Sequence, residues 1–202
     1  MSLYEHQVLP RLLSWGMGLR YFETHRAATL EGLSGTVLEV GFGAGHNLPH
    51  YPAAVREVLA IEPSDLARRK AAARIHAAPF PVHFAGLDGQ RIELDDQSVD
   101  GIACTWTLCS IPDVHAALEE MRRVLKPGAR LHFFEHGLSL DAKVAASQHR
   151  WTPVQKRLFG GCHLDRDIAG LLSAHFPHLA ATPKTLRGPR ILTTCLHGQA
   201  WG

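Results

Sequence analysis

Thr36-Val37-Leu38-Glu39-Val40-Gly41-Phe42-Gly43-Ala44-Gly45 is the stretch on which the fold turns. A short run rich in β-branched and apolar side chains leads straight into three glycines at alternate positions. Such side chains favour extended backbone, and glycine permits a tight turn that a ligand can approach closely. An ordinary strand-to-helix turn has the same look, so spacing has to decide. Gly41, Gly43 and Gly45 read G-x-G-x-G, without the last gap of the dinucleotide fingerprint and without the Gly-Lys-Ser/Thr ending of a P-loop. A nucleotide-like ligand lacking phosphates is favoured.

Outward from this turn, strand and helix patterns alternate. Strands are expected at 55–61, 82–84, 99–105 and 130–135, with helices at 65–76 and 113–125 between them. Upstream, residues 3–30 carry apolar positions at helical spacing, split into two helices by Gly16 and Gly18. Downstream, 142–158 reads as partly helical and Gly160-Gly161 breaks it. Asp165 is the expected N-cap of a helix running to 174, and strands near 179–186 and 191–199 close the sheet. The alternation implies an α/β fold with a mostly parallel sheet and helices on both faces.

Bulk properties narrow the function classes. The 202 residues suit one domain; they are 46% hydrophobic and 20% charged, as in ordinary globular protein. A formal charge of +2, with basic residues scattered and no aromatics interleaved among them, argues against a nucleic-acid partner. No apolar run approaches the roughly 18–20 residues that span a bilayer. Four cysteines far apart do not make a disulfide framework, so a cytoplasmic location is expected.

Two further features fall at matching intervals. Glu62-Pro63 ends the second strand about 20 residues after the glycines, where a carboxylate can accept both ribose hydroxyls. Asp88-Gly89-Gln90 follows the third strand, where a carboxylate could take an adenine amino group. Alone, each reads equally as a solvated strand end or a plain β-turn. Together with the glycines they read as one binding edge.

With these residues in hand, the chain resembles class I S-adenosylmethionine-dependent methyltransferases. Val37 to Gly45 is similar to their first motif, Ser98-Val99-Asp100 through Cys104-Thr105 to their fourth strand, and Arg123 to Gly128 to their turn into strand five. The ubiquinone/menaquinone-biosynthesis type is the nearest group. Asn47 with Tyr51-Pro52, Thr107-Leu108-Cys109-Ser110, Glu135-His136 and Gly161-Cys162 further resemble small alkyl-thiol S-methyltransferases. Phe42 and Ala129 depart from the usual residues without barring cofactor binding. The animal thiol enzymes carry a hydrophobic N-terminal anchor; none is expected from these residues, so their membrane location is not carried over.

The resemblance implies a Rossmann-like seven-stranded sheet in a single domain over 1–202. Residues 1–30 form a helical lid, 35–137 a cofactor-binding core, and 138–202 a substrate-covering segment with the closing strands. It implies S-adenosylmethionine as cofactor, with S-adenosylhomocysteine as product. Glu39 and the turn Gly41, Phe42, Gly43 and Gly45 would meet its amino-acid end, with Asn47 close by. Glu62 and Pro63 would hold the ribose, Asp88, Gly89 and Gln90 the adenine, and Cys104 and Thr105 would lie beside the sulfonium.

The acceptor is expected to be a small, largely apolar molecule, with a thiol as first choice because it needs little help to ionise. Carbon or oxygen methylation of a quinone-like ring, and nitrogen methylation of a phospholipid or small amine, are the alternatives. A catalytically silent cofactor-binding module is a reading of another class. His136, just past strand five, is the candidate base; Glu135 could orient it, and Tyr4 could reach in from the lid. Trp106 and Trp151 could wall the pocket or simply pack. Cys109, Cys162 and His163 invite a metal reading, but no Cys-x-x-Cys pair exists and the spacing is unlike structural zinc, so no metal is expected. Oligomeric state is left open.

Overall fold

The computed structural model describes residues 8–202; Tyr4 and the start of the expected lid lie outside the described residues. Five strands, β1 (Gly35–Val40), β2 (Val55–Ile61), β3 (Val82–Gly86), β4 (Val99–Thr105) and β5 (Leu125–His136), run parallel. β6 (His178–Thr185) and β7 (Thr194–Trp201) complete one sheet of order β3-β2-β1-β4-β5-β7-β6, with β7 antiparallel to both neighbours. This is the seven-stranded, mostly parallel sheet expected. The order reverses between β1 and β4. There the loops leaving neighbouring strands diverge and open a crevice at the carboxyl edge, the usual place for a ligand in such sheets.

Alternation along β1 explains its near-continuous apolar run. Val37 joins a buried layer with Leu30, Val58 and Ala71 on one face of the sheet. Leu38 and Val40 join Ile102, Leu118, Met121, Phe133 and Leu172 on the other. A parallel sheet covered on both faces needs apolar side chains in both directions. The covering helices are α1 (Leu9–Met17), α2 (Glu23–Leu30), α3 (Asp65–Ala77), α4 (Val114–Val124), α5 (Ala142–Leu158), α6 (Ile168–His175) and the single turn α7 (Arg190–Thr193). α4 buries Val114, Ala117, Leu118, Met121 and Val124, an i, i+3, i+4, i+7 stripe facing the core. Its N-cap is Asp113, whose side chain accepts from the Ala116 amide, as Ser64 does for α3.

Four expectations need correction. Gly16 lies inside α1, and the break comes only at Gly18. α6 is capped by Asp167, which accepts from the Gly170 amide, and not by Asp165, whose carboxylate instead meets His149 at 2.8 Å. The last strand starts at Thr194 because residues 190–193 form a helical turn. α5 is one continuous helix through Pro153, not a partial one. The glycine pair after it behaves as expected, with φ of +58° and +85°.

The cap assignment makes a prediction. Asp167→Ala is expected to cost about 1 kcal/mol of unfolding free energy in urea titration, the usual worth of an N-cap. Asp165→Ala loses side-chain contacts with His149 and Thr152 but no helix cap, and is expected to cost less; the reverse ranking would return the cap to Asp165.

Candidate active site

The glycine turn is shaped by its own amides. Gly41 and Phe42 both donate to the Ile61 carbonyl at 3.1 Å, and the Gly43 amide donates to Glu62 Oε2 at 2.7 Å. Gly41 sits at φ +78°, and a Cβ there would collide with the Thr107 side chain. Only glycine fits, because the loop after β4 presses directly on this turn. The Phe42 side chain is buried edge-on to Phe84, so only its backbone belongs to the turn.

Glu62 closes the second side. Its Oε1 accepts from the Ser64 amide at 2.8 Å and its Oε2 from Gly43, leaving further lone pairs on both oxygens. Burial raises its pKa, against the pull of those two amides. Pro63 beside it is exposed. The Asp88 loop comes in from β3: a Cβ on Gly89 would meet Val40 at 3.1 Å, which places this loop at the end of β1. Asp88 Oδ1 accepts from both the amide and the side chain of Gln90, and Gln90 Oε1 in turn accepts from the Asp113 amide.

Beneath the turn lies a buried polar network. Glu39 is 1% exposed and accepts from Asn47 Nδ2 at 2.9 Å and from the Tyr51 hydroxyl at 2.7 Å. Asn47 also donates to Thr105 Oγ1 at 3.2 Å, and its Oδ1 accepts from Arg26 at 2.7 Å. Burial pushes the Glu39 pKa from 4.5 up to about 7, although Tyr51, Asn47 and the more distant Arg26 charge oppose the rise. Arg26 and Tyr51 were not among the expected site residues. The Asn47/Tyr51 spacing was a visible hint for the second; Arg26 carried no local signal.

Glu135, at the end of β5, is fully enclosed. Both its oxygens accept from the Thr107 amide at 2.9 Å, and the Cys104 thiol lies 3.5 Å from Oε1. Burial pushes its pKa up to about 7, with the amides of Thr107, Leu108 and Cys109 opposing. It therefore grips the loop after β4 rather than facing open space. Trp106 in that loop adopts φ +52°, a strained value for a bulky residue. Its ring is held between Phe22, Phe134 and the Arg26 guanidinium.

His136, the expected base, is almost enclosed. It is 6% exposed, with Nε2 3.4 Å from the Ile191 carbonyl and Nδ1 4.0 Å from Cys162 Sγ. Cys162 in turn lies 3.6 Å from Cys109, sulfur to sulfur. His163 is directed away, its ring 3.9 Å from Asp165. α1 crosses above the edge: the Ser14 carbonyl meets His46 at 2.9 Å, and a Cβ on Gly160 would touch Leu9. The edge thus gathers Glu39, Gly41 to Gly45, Asn47, Glu62, Asp88 to Gln90, Cys104 and Thr105, with Glu135 and His136 buried at the end of the neighbouring β5.

Residues 38–133 match the family model described as a methyltransferase domain. Thiol S-methyltransferase TMT1B of Rattus norvegicus is 32% identical over 65% of this chain and 55% of its own length. Demethylmenaquinone methyltransferase of Deinococcus radiodurans is 30% identical over 64% of this chain and 55% of its own. The chain thus spans about half the length of the curated relatives it matches. Among solved structures, phosphoethanolamine N-methyltransferase 2 of Haemonchus contortus, in complex with phosphomonomethylethanolamine and S-adenosylhomocysteine, superposes with a TM-score of 0.66. It is 15% identical, and 87% of this chain and 43% of that one are covered. Residues 38–133 thus carry a methyltransferase domain.

The buried network predicts a pH dependence. Between pH 4.5 and about 7 the folded chain keeps a proton on Glu39 that the unfolded chain has released. The stability this contributes is complete below 4.5 and is lost as pH rises through about 7. In Glu39→Gln the fall in unfolding free energy between about pH 5 and pH 8 is expected to shrink by about 2–3 kcal/mol. Urea curves with an unchanged pH slope in the variant would mean that Glu39 is ionised throughout.

Proposed function

We propose that this chain transfers the methyl group of S-adenosylmethionine to a small, largely apolar thiol. The observation that carries the cofactor half of this reading is the junction of the glycine turn with Glu62, with the Asp88 loop against the end of β1. The donor set suits the molecule. Glu62 has lone pairs left for two ribose hydroxyls, and Asp88 with Gly89 and Gln90 offers a carboxylate and amides to an adenine. Glu39 is a buried carboxylate hydrogen-bonded by neutral groups alone, a fit for the ammonium of the amino-acid end. When bound, the cofactor supplies an electrophilic methyl on sulfonium.

The residues of the chain bind, orient and exclude water. Thr105 and Cys104 end β4 beside the turn, and the Thr107 loop, pinned by Glu135, walls the acceptor side. Glu135 acts in this reading as a positioning residue. Neither it nor His136 stands open as a base, which favours an acceptor that ionises readily. A thiol, whose ordinary pKa is about 8.5, is already a few per cent thiolate at neutral pH. Exposed apolar side chains on α1 and α5 (Leu12, Trp15, Trp151, Val154 and Leu158) suit an apolar acceptor. The thiol S-methyltransferase relatives support the same choice, while the demethylmenaquinone relative favours a quinone-like ring as the second reading. Among the described residues no helix is long and apolar enough to cross a membrane. Four free thiols fit a reducing compartment such as the cytoplasm.

Purified protein incubated with radiolabelled S-adenosylmethionine and a panel of thiols, quinols, phenols and amines is expected to label an apolar thiol most rapidly. Preference for a quinol would select the second reading; cofactor binding without transfer to any acceptor would leave a silent module. For the cofactor site itself, Glu62→Ala is expected to weaken calorimetric affinity for S-adenosylhomocysteine by roughly 10–150-fold, the worth of a hydrogen-bonded charge. Undiminished affinity would remove Glu62 from the site.

A further inference from the structure

We propose that Cys109, His136 and Cys162 form a three-ligand site for one soft divalent cation of the zinc class. Their donor atoms, two Sγ and one imidazole nitrogen, all lie within 4.8 Å of one another. Tetrahedral zinc, with Zn–S near 2.3 Å and Zn–N near 2.05 Å, sets edges of about 3.8 Å between sulfurs and about 3.6 Å from sulfur to nitrogen. The observed separations are 3.6 Å for the sulfur pair and 4.0 Å from Cys162 Sγ to His136 Nδ1. Small side-chain rotations reach the bound geometry.

The surroundings of the three side chains support a metal rather than a chance meeting. His136 Nε2 faces the Ile191 carbonyl at 3.4 Å. Donating its N–H there leaves the Nδ1 lone pair aimed at Cys162, the arrangement by which outer-shell carbonyls orient metal-bound histidines. Cys109 is fixed on both sides. Glu135 takes the amides of residues 107–109, and the Cys109 carbonyl accepts from the His163 amide at 2.8 Å. Gly161, at φ +85° and close to the Ser110 carbonyl, lets the Cys162 segment approach that loop. Arg166, anchored on the Leu108 and Ile111 carbonyls, places a positive charge close to both sulfurs.

On binding, Cys109 and Cys162 serve as thiolates and His136 as a neutral imidazole, their thiol protons passing to solvent. The two negative charges balance the cation. Three protein ligands leave the fourth tetrahedral position to an exogenous donor. The ion would tie the turn after α5 to the ends of β4 and β5. Cys109 is two residues from Thr107, which touches Gly41, so the site lies along the same sheet edge as the glycine turn. This proposal does not depend on which molecule accepts the methyl group.

The test uses untagged, fully reduced, chelator-stripped full chain titrated with Co2+ alone. The expected result is one equivalent bound, with thiolate-to-cobalt charge-transfer bands and the intense visible bands of tetrahedral coordination, bleached by added Zn2+. Cys162→Ser, Cys109→Ser and His136→Ala are each expected to weaken binding by more than the roughly 10–100-fold typical of losing an outer-shell partner. Cys195→Ser, outside the set, is expected to bind as wild type. Absence of tetrahedral bands, or equal binding by Cys162→Ser and Cys195→Ser, overturns the proposal. So does reduced protein that forms a Cys109–Cys162 disulfide on air exposure yet binds no Co2+. Should Cys109→Ser fail to fold by circular dichroism, the half-exposed Cys162 carries the comparison.

Discussion

Two carboxylates buried at strand ends on either side of β4 govern the shape of the binding edge. A charge or even a protonated acid in the interior has to gather hydrogen-bond partners from whatever backbone and side chains pass nearby. Glu39 draws in Asn47 and Tyr51 from the segment after the glycine turn, and through Asn47 it reaches Thr105 and Arg26. Glu135 draws in the amides of the loop after β4. Each therefore converts a surface loop into a fixed wall. Thr107, pressed against Gly41, is where the two walls meet. Removing either carboxylate would orphan several buried donors at once, so the edge stands or falls as a unit.

Such rigidity suits methyl transfer. The reaction needs an acceptor in line with the methyl group and water kept out, and neither demands a protein nucleophile. In the proposed reading, the carboxylate and imidazole at the end of β5 serve this geometry by holding their neighbours in place. Glu135 pulls the loop tight, and His136 faces Cys162 beside it. α1 and the turn after α5 meet where Leu9 lies against Gly160, and the two helices present Leu12, Trp15, Trp151, Val154 and Leu158 to solvent.

What could be read from the sequence follows from the range of the interactions. The strand-turn at 36–45, the carboxylate at Glu62 and the loop at 88–90 are local patterns, and each lies at the carboxyl edge. The caps of α3 and α4 are local too, and the expected helices match. Asp165 and Asp167 are both plausible caps two residues apart, and only the tertiary contact of Asp165 with His149 separates them. The turn at 190–193 is too short to leave a periodic trace. The role of Glu135 depends on amides 26 to 28 residues earlier in the chain, which no spacing rule anticipates.

The cysteine–histidine cluster is the clearest case of that limit. Metal motifs are recognised by short intervals because two ligands usually share one loop. Here the donors come from the loop after β4, the last residue of β5 and the turn after α5, at successive intervals of 27 and 26 residues. The sequence also offered His163, one residue from Cys162, as the natural third member, and the chain turns it toward Asp165 instead. Parallel-sheet topology supplies the missing step. It brings the ends of β4 and β5 side by side, so residues just beyond each strand become neighbours whatever their separation along the chain. Cys109 and His136 are juxtaposed by the same register that sets Thr105 against Phe134, and only Cys162 has to be carried in by a glycine turn.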